Sequence, residues 1–212
     1  MGSHTNGCWL GSYEFDKQQL FSGMISTGNT VFDIGAHVGF YTLLSSVLVG
    51  EVGHVFAFEP LPRNLHYLHR HITLNKMNNV TVIPAAVADR SGHTLFQQVD
   101  SSAQGHFSIT GNLKVAVVAL DEQVSTGQLP KPDVIKMDVE GAEAAVLRGA
   151  RQTLQQYRPI IFLATHGAAI REECFALLQE LNYSLTPIDE RPLAATDEIL
   201  AVPAEKGKTT SR

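Results

Sequence analysis

The chain has 212 residues, of which 44% are hydrophobic and 17% are charged. This size and composition suit a single globular domain with a sizeable core. The formal net charge is −5 and no basic stripe or cluster occurs, so we expect no nucleic-acid partner. No apolar run approaches the ~18–20 residues that a membrane helix needs, so we expect no membrane span.

The chain ends and the cysteines carry no functional motif. Residues 1–10 begin MGSHTNG, without an apolar signal core, and resemble a cloning remnant or a disordered segment rather than a targeting peptide. The polar residues 204–212 are expected to fray, which leaves 11–203 as the domain. Cys8 and Cys174 form no metal or redox motif, so we expect two reduced thiols in a cytoplasmic protein.

The first predicted elements lead to a glycine turn. A helix over Asp16–Ile25 precedes a buried strand, Val31–Ile34. This strand ends in the spacing Asp33-x-Gly35-x-x-x-Gly39, and a helix is predicted in the run Tyr41–Val49. The spacing differs from the G-x-G-x-x-G that packs around a pyrophosphate. An acid at the strand end suits a cationic amino group better than a phosphate.

A second strand, His54–Glu59, also ends in an acid. Glu59 follows Gly39 by 20 residues, which is where an α/β nucleotide site places a carboxylate against ribose hydroxyls. As a bidentate acceptor, Glu59 is predicted to take both hydroxyls of a vicinal diol. A helix is predicted over Leu61–Lys76.

The middle of the chain is predicted to hold short strands and loops. Asn79–Pro84 is a third strand, and Ala85–Asp89 continues it as a loop. Further strands are expected over Thr94–Val99 and Lys114–Ala119. The polar, glycine-containing segment 101–112 between them is typical of a lid, an acceptor wall or a mobile loop.

The fourth core strand, Asp133–Asp138, is followed by further acids. Lys136 and Asp138 lie on one face of this strand because side chains alternate with a period of two. A lysine in a buried strand needs a carboxylate partner or water, and Asp138 or Glu143 could provide the carboxylate. An amphipathic helix is predicted over Ala142–Gln155.

The last elements complete an α/β pattern. A strand over Pro159–Ala164 precedes His166, a helix covers Arg171–Leu181, and strands follow at Tyr183–Ile188 and Glu198–Val202. Strands alternating with helices predict a mostly parallel sheet with helices on both faces, in which the final strands could be antiparallel. Ligands bind such sheets at the carboxyl ends of the strands. Four polar residues stand at such ends, and their convergence predicts a site: Asp33, Glu59, Asp138 and His166.

Four segments, taken together, resemble the FkbM family of S-adenosylmethionine-dependent methyltransferases. They read FDIGAHVGFYTLL, VFAFEPLPRNLHYLHRHITLN, AAVAD and DVIKMDVEGAEAAVLRGA. The match runs from about Gly11 to Ile188. The resemblance implies an α/β fold with a single Rossmann-like class I methyltransferase domain and a seven-stranded, mostly parallel sheet.

The resemblance also implies S-adenosyl-L-methionine as the cofactor. In the family, a Tyr-Glu pair lies over the methionine end of the cofactor, and the loop after the third strand contacts the adenine ring. Here these positions are Tyr13-Glu14 and residues 85–89. The implied cofactor-binding residues are Tyr13, Glu14, Asp33, Gly35, Ala36, His37, Gly39, Glu59, Pro60, Ala86, Val87 and Asp138.

For methyl transfer the protein mainly has to position the acceptor and the methyl donor, because the sulfonium is already an activated donor. An alcohol acceptor must lose its proton, and His166 is the candidate base by its ordinary pKa and its position. The family commonly has a Glu two residues before this histidine, where this chain has Ala164. The predicted catalytic set is therefore Asp138, Glu140 and His166, with Lys136 as a supporting charge.

Several alternatives stay open. Two carboxylates and an imidazole could hold a divalent metal, although simple base catalysis is preferred and no metal ligand is assigned. A nicotinamide-dependent oxidoreductase would use similar strand ends, but the absent G-x-G-x-x-G argues against it. A catalytically silent cofactor-binding subunit is the third class. The expected acceptor is a small molecule with a sugar or natural-product hydroxyl, and the sequence indicates no oligomeric state.

Overall fold

Two β-sheets organise the fold, which a computed structural model describes over residues 14–98, 105–107 and 113–204. In chain order the strands are β1 (Thr30–Ile34), β2 (His54–Phe58), β3 (Val80–Ile83), β4 (Ala85–Val87), β5 (Gly92–Gln98), β6 (Gly105–Phe107), β7 (Leu113–Val118), β8 (Val134–Met137), β9 (Ile160–Ala164), β10 (Tyr183–Pro187) and β11 (Glu198–Pro203). Seven form the central sheet in the order β10-β11-β9-β8-β1-β2-β3, and four form a smaller sheet in the order β4-β7-β5-β6.

The central sheet is mostly parallel, as predicted. Strands β3, β2, β1, β8 and β9 run parallel, and β11 is antiparallel to both of its neighbours. The chain leaves β1 toward β2 on one side, while β8 pairs with β1 on the other. The strand order therefore switches between β1 and β8, the place where ligands bind in sheets of this kind.

Helices cover both faces of the central sheet. They are α1 (Phe15–Met24), α2 (Phe40–Val49), α3 (Pro62–Leu74), α4 (Leu120–Ser125), α5 (Glu143–Gly149), α6 (Arg151–Tyr157) and α7 (Ala168–Glu180). On one face, Phe32 of β1 shares a buried cluster with Leu147 of α5. On the other, Val31 packs in a cluster with Phe21 and Val49. Burial on both sides explains why β1 reads as a continuous apolar run interrupted by a single acid.

The smaller sheet corrects one prediction. Residues Ala85–Asp89 were expected to form a loop, but Ala85–Val87 is a strand paired in parallel with β7. Ala86 and Val87 are buried in two different apolar clusters, so packing from both sides holds this segment extended. In the predicted lid segment, 105–107 form β6 against β5, and 101–104 and 108–112 lie outside the described residues.

The predicted helix over Ala142–Gln155 is wrong as a single element. It is divided into α5 and α6 at Ala150. A Cβ on Gly149 would lie 2.1 Å from the carbonyl oxygen of Ala88, so the chain approaches the smaller sheet closely at this point. The Asp121 side chain then accepts hydrogen bonds from the backbone amides of Gln152 and Thr153, which begins a new helix.

The remaining differences from the predicted elements are small. Helix α4 was not predicted, and the other helix ends differ from the predicted ones by up to three residues. Cys174 is a free buried thiol, while Cys8 lies outside the described residues. So do the predicted terminal segments 1–10 and 204–212, apart from Ala204. Among the described helices, none has the length and apolarity to span a bilayer.

Candidate active site

The glycine loop after β1 is clamped between the ends of β2 and β8. The amides of Gly35 and Ala36 both donate to the carbonyl oxygen of Phe58 at 3.0 Å. Gly35 has a φ of +83°, and a Cβ there would lie 1.8 Å from the carbonyl oxygen of Asp138. Gly39 also has a positive φ, and a Cβ on it would lie 2.5 Å from Leu68. These contacts bring the loop directly against the acidic segment after β8.

Glu59, at the end of β2, is a buried carboxylate that holds this loop. Its Oε2 accepts the backbone amide of His37 at 2.9 Å, and its Oε1 accepts the amide of Leu61 and the side chain of Asn64. Burial raises the pKa of Glu59, although these hydrogen bonds act in the opposite direction. Since a carboxylate has about four acceptor sites, one remains on Oε2. Without rearrangement Glu59 can therefore take one hydroxyl, not two.

Asp33 lies inside the protein rather than on the open edge of the sheet. Its side chain is fully buried. Its Oδ2 accepts a hydrogen bond from the Thr42 hydroxyl at 2.6 Å, and its Oδ1 is 3.6 Å from the ammonium of Lys136. The cationic amino group that this acid meets is thus a lysine of the same chain.

Lys136 links the glycine loop to the acidic segment. Its Nζ donates to the carbonyl of Gly35 at 3.3 Å and lies 3.8 Å from Oδ2 of Asp138. Burial alone would lower the pKa of Lys136, but the carboxylates of Asp138 and Asp33 outweigh it and raise the pKa. Of the two partners considered from the sequence, Asp138 is the one found, together with Asp33, while Glu143 has other partners.

Glu14 lies near Lys136 and is held there by a hydrogen bond from Tyr41. The Tyr41 hydroxyl donates to Oε2 of Glu14 at 2.7 Å, and the Nζ of Lys17 lies 3.2 Å from the same oxygen. The Nζ of Lys136 lies 5.3 Å from the centroid of the Tyr41 ring. The start of α1 is therefore beside the polar residues of β8. Tyr13, the other half of the predicted pair, lies outside the described residues.

Asp138, Glu140 and His166 come together as predicted. Nε2 of His166 is 3.7 Å from Oδ1 of Asp138 and 3.4 Å from Oε2 of Glu140. Each of the three side chains is about one-third exposed. Burial would raise the pKa of Asp138, but Lys136, followed by Lys17 and His166, lowers it. Asp138 is therefore an ionised carboxylate at neutral pH.

The expected near-neutral pKa of His166 is wrong. Its Nδ1 donates to Oε1 of Glu143 at 2.8 Å, and this hydrogen bond, with the charges of Glu140 and Asp138, raises the pKa to about 9. At neutral pH the imidazole is therefore protonated and cannot take a proton from a substrate. The sequence indicated Glu143 only as a candidate partner of Lys136, because nothing local links it to a histidine 23 residues later.

The other predicted cofactor residues surround the loop. His37 has a positive φ, and its pKa is lowered by burial and by the charge of Lys136, so its imidazole is neutral at neutral pH. Ala36 is buried, and Pro60 is half-buried at the end of β2. Ala86 and Val87 have their side chains in the apolar clusters described above, which leaves them little exposed surface.

Comparison with known proteins identifies relatives of this arrangement. The model of the methyltransferase FkbM domain matches residues 33–192. The hexuronic acid methyltransferase AglP of Haloferax volcanii is 29% identical over 175 residues, which cover 81% of this chain and 70% of AglP.

Solved structures show the same fold. The methyltransferase FkbM of Methylobacillus flagellatus KT aligns with a TM-score of 0.63 and 20% identity over 89% of this chain and 47% of that chain. This chain thus spans about half the length of that protein. Aeropyrum pernix fibrillarin, solved with natively bound S-adenosyl-L-methionine, aligns with a TM-score of 0.54 and 14% identity over 87% of this chain and 72% of that chain.

At these identities the solved structures establish a Rossmann-like methyltransferase fold, which agrees with the fold predicted from the sequence. The domain match goes further, because it covers most of the chain, from the acid of β1 to beyond β10. The protein belongs to the FkbM family of methyltransferases.

Proposed function

We propose that this protein is an S-adenosylmethionine-dependent O-methyltransferase that acts on a hydroxyl of a sugar. The observation that carries the proposal is the close approach of Gly35 to Asp138. The family resemblance puts the cofactor on the loop that contains Gly35. The close approach brings this loop against the acids that are expected to face the acceptor. The hexuronic acid named in the relative AglP supports a sugar as the acceptor class. A natural-product hydroxyl and a cytoplasmic location remain expectations from the sequence.

The cofactor is proposed to lie over the loop from Gly35 to Gly39. The remaining acceptor site of Glu59 would take one ribose hydroxyl, and the neutral imidazole of His37 lies on the same loop. Glu14, beside Lys136, would lie toward the methionine end. Pro60, Ala86 and Val87 are proposed to border the adenine ring, the last two largely through their backbone because their side chains are buried.

The reaction requires one bond to form and one to break. A lone pair of the acceptor oxygen would attack the methyl carbon as the carbon–sulfur bond breaks, and the electron pair of that bond would stay on sulfur to give S-adenosylhomocysteine. The hydroxyl proton leaves the acceptor oxygen. Because His166 is protonated at neutral pH, Asp138, Glu140 or solvent would receive this proton.

The test is a transfer assay with methyl-labelled cofactor and a panel of hexuronic acid glycosides, matched neutral sugars and polyketide-like alcohols. We expect labelled methyl ether and S-adenosylhomocysteine in equal amounts. Asp138→Asn should lower turnover by about 10²–10⁴-fold with little loss of cofactor affinity. Glu180→Gln, on an exposed ion pair with Arg151, is the matched control and should behave as wild type.

Three results would contradict the proposal or its site. Cofactor binding without product from any acceptor would favour a silent binding subunit. Unchanged cofactor affinity in a folded Glu59→Ala variant would remove Glu59 from the site, since the loss of a ribose contact should cost about 1–3 kcal/mol. Reduction of a nicotinamide by candidate substrates would favour the oxidoreductase, against which family membership already argues.

A further inference from the structure

Three potential metal ligands meet at the carboxyl ends of β8 and β9. Asp138 and Glu140 follow β8, and His166 follows β9. One ligand atom from each lies within 4.8 Å of the other two. Over the residues that the structure describes, no other three His, Cys, Asp or Glu side chains meet in this way. The three side chains are partly exposed, so an ion could reach them from solvent.

A fourth residue, Glu143, fixes the orientation of the His166 imidazole. Glu143 is fully buried, and its Oε1 accepts Nδ1–H of His166 at 2.8 Å and the backbone amide of Gly141 at 3.0 Å. Its Oε2 has no hydrogen-bond partner. With Nδ1 held in this way, Nε2 faces Asp138 and Glu140, and a metal ion that binds there would displace the proton that Nε2 carries at neutral pH. Histidines that bind metals commonly donate their second ring nitrogen to a carboxylate, which fixes the ring.

The local charges also favour a cation. The carboxylates of Asp138, Glu140 and Glu143 surround one imidazole. Lys136 is near Asp138, but its charge is shared with buried Asp33. Grouped carboxylates in a partly buried site need positive charge to balance them. The protonated imidazole supplies part of that charge, and a divalent ion that replaces its proton would supply more.

We propose that Asp138, Glu140 and His166 bind a first-row divalent metal ion, with Glu143 as the residue that positions the imidazole. Carboxylate oxygens together with an imidazole nitrogen suit ions such as Mn²⁺ or Zn²⁺ better than Mg²⁺ or Ca²⁺, which prefer oxygen alone. With metal–ligand bonds of about 2.1 Å, adjacent ligand atoms lie about 3 Å apart. The separations of 3.4 and 3.7 Å from Nε2 of His166 need a contraction of well under 1 Å, and all three ligand atoms already lie within 4.8 Å of one another.

The role of the metal rests on the proposed function. Three protein ligands leave coordination positions open for the acceptor. A metal-bound hydroxyl loses its proton to solvent more readily, so no protein base with a near-neutral pKa is needed. Two adjacent oxygens can share one ion, which favours acceptors with vicinal hydroxyls or a hydroxyl beside a carboxylate. The metal would thus select the class of acceptor and also activate the acceptor hydroxyl.

Metal binding is tested on the whole protein without cofactor or acceptor. After exhaustive chelation, Mn²⁺ is added and followed by calorimetry and electron paramagnetic resonance. We expect one Mn²⁺ per chain, with nitrogen coupling that disappears in His166→Ala. Asp138→Asn should lose most of the affinity, and Glu143→Gln should lose about 10–100-fold. Glu180→Gln, which removes one remote carboxylate, should bind as wild type does.

The contrary outcomes are distinct from failure of the proposed function. Absence of saturable binding up to about 1 mM Mn²⁺, a weak affinity for such a site, would overturn the metal site. So would equal binding by wild type and both the Asp138→Asn and Glu140→Gln variants, once circular dichroism shows them folded. If Mn²⁺ binds as expected but no alcohol is methylated, the site is supported and the acceptor class is wrong. Full methyl transfer by the chelated protein would overturn the catalytic role.

Discussion

At the scale of single residues, His166 shows how one neighbour changes the chemistry of a side chain. An imidazole with an ordinary pKa near 6.5 would suit a general base. Its hydrogen bond to Glu143 and the nearby Glu140 and Asp138 raise the pKa to about 9. The imidazole therefore keeps its proton at neutral pH, where a general base would have to be unprotonated.

We expect nuclear magnetic resonance of the chelated protein to show His166 titrating near 9. Glu143→Gln should move this pKa down toward 6.5, because it removes the charged acceptor that is the largest cause of the shift. Glu173→Gln, at an exposed position of α7, should leave it unchanged. A wild-type value below 7 would show that the Glu143 contact does not form in solution.

The raised pKa of His166 also makes the stability of the fold depend on pH. The folded protein binds the His166 proton more tightly than the unfolded chain, so the protonated imidazole stabilises the fold fully below about pH 6.5. This contribution is lost as the pH rises from there through about 9. Denaturation across this window should show wild type losing stability relative to His166→Ala. An unchanged difference between the two proteins would contradict the linkage.

At the scale of elements, the loop after β1 depends on a glycine that touches another loop. We expect Gly35→Ala to cost about 1–2 kcal/mol for the positive φ and about 1–3 kcal/mol more for overlap with the Asp138 carbonyl. Gly127→Ala is the control, because that glycine also has a positive φ but has no atom within 4 Å of the new Cβ. Chemical denaturation measures both. Equal losses would mean that the two loops separate freely.

The break between α5 and α6 leads to a second prediction at this scale. Asp121 of α4 accepts the amides of Gln152 and Thr153, so it acts as a cap supplied by another helix. Asp121→Ala should lower the free energy of unfolding by about 0.5–2 kcal/mol. Glu122→Ala, at the exposed neighbouring position, should change it by less than about 0.5 kcal/mol. A neutral Asp121→Ala would mean that the cap is not needed to start α6.

At the scale of the whole molecule, the proposed cofactor should stabilise the fold. A ligand that binds only the native state adds about 2.7 kcal/mol at 100 times its Kd. We therefore expect the melting temperature to rise with S-adenosylmethionine or S-adenosylhomocysteine and to stay constant with NADH. The dose response should weaken in Glu59→Ala. A rise with NADH alone would support the nucleotide-dependent oxidoreductase instead.

Much of the whole fold follows from local patterns along the chain. Runs such as Val31–Ile34 identify the strands, because burial on both faces requires apolar residues at successive positions. The alternation with helices implies a parallel sheet, and acids such as Asp138 directly after a strand indicate a ligand edge. The motifs around Gly35 and Lys136 were enough to indicate the FkbM family, which the domain match confirms.

The tertiary structure decided the pairings between distant residues. No sequence period links Glu143 to His166, Asp33 to Lys136, or Asp121 to the start of α6. Periodicity and turn chemistry act between near neighbours in the chain, whereas hydrogen bonds and charges act between neighbours in space. Crossover connections bring the ends of β1, β8 and β9 together, so the partner and pKa of each site residue depend on contacts that arise only when the sheet has formed.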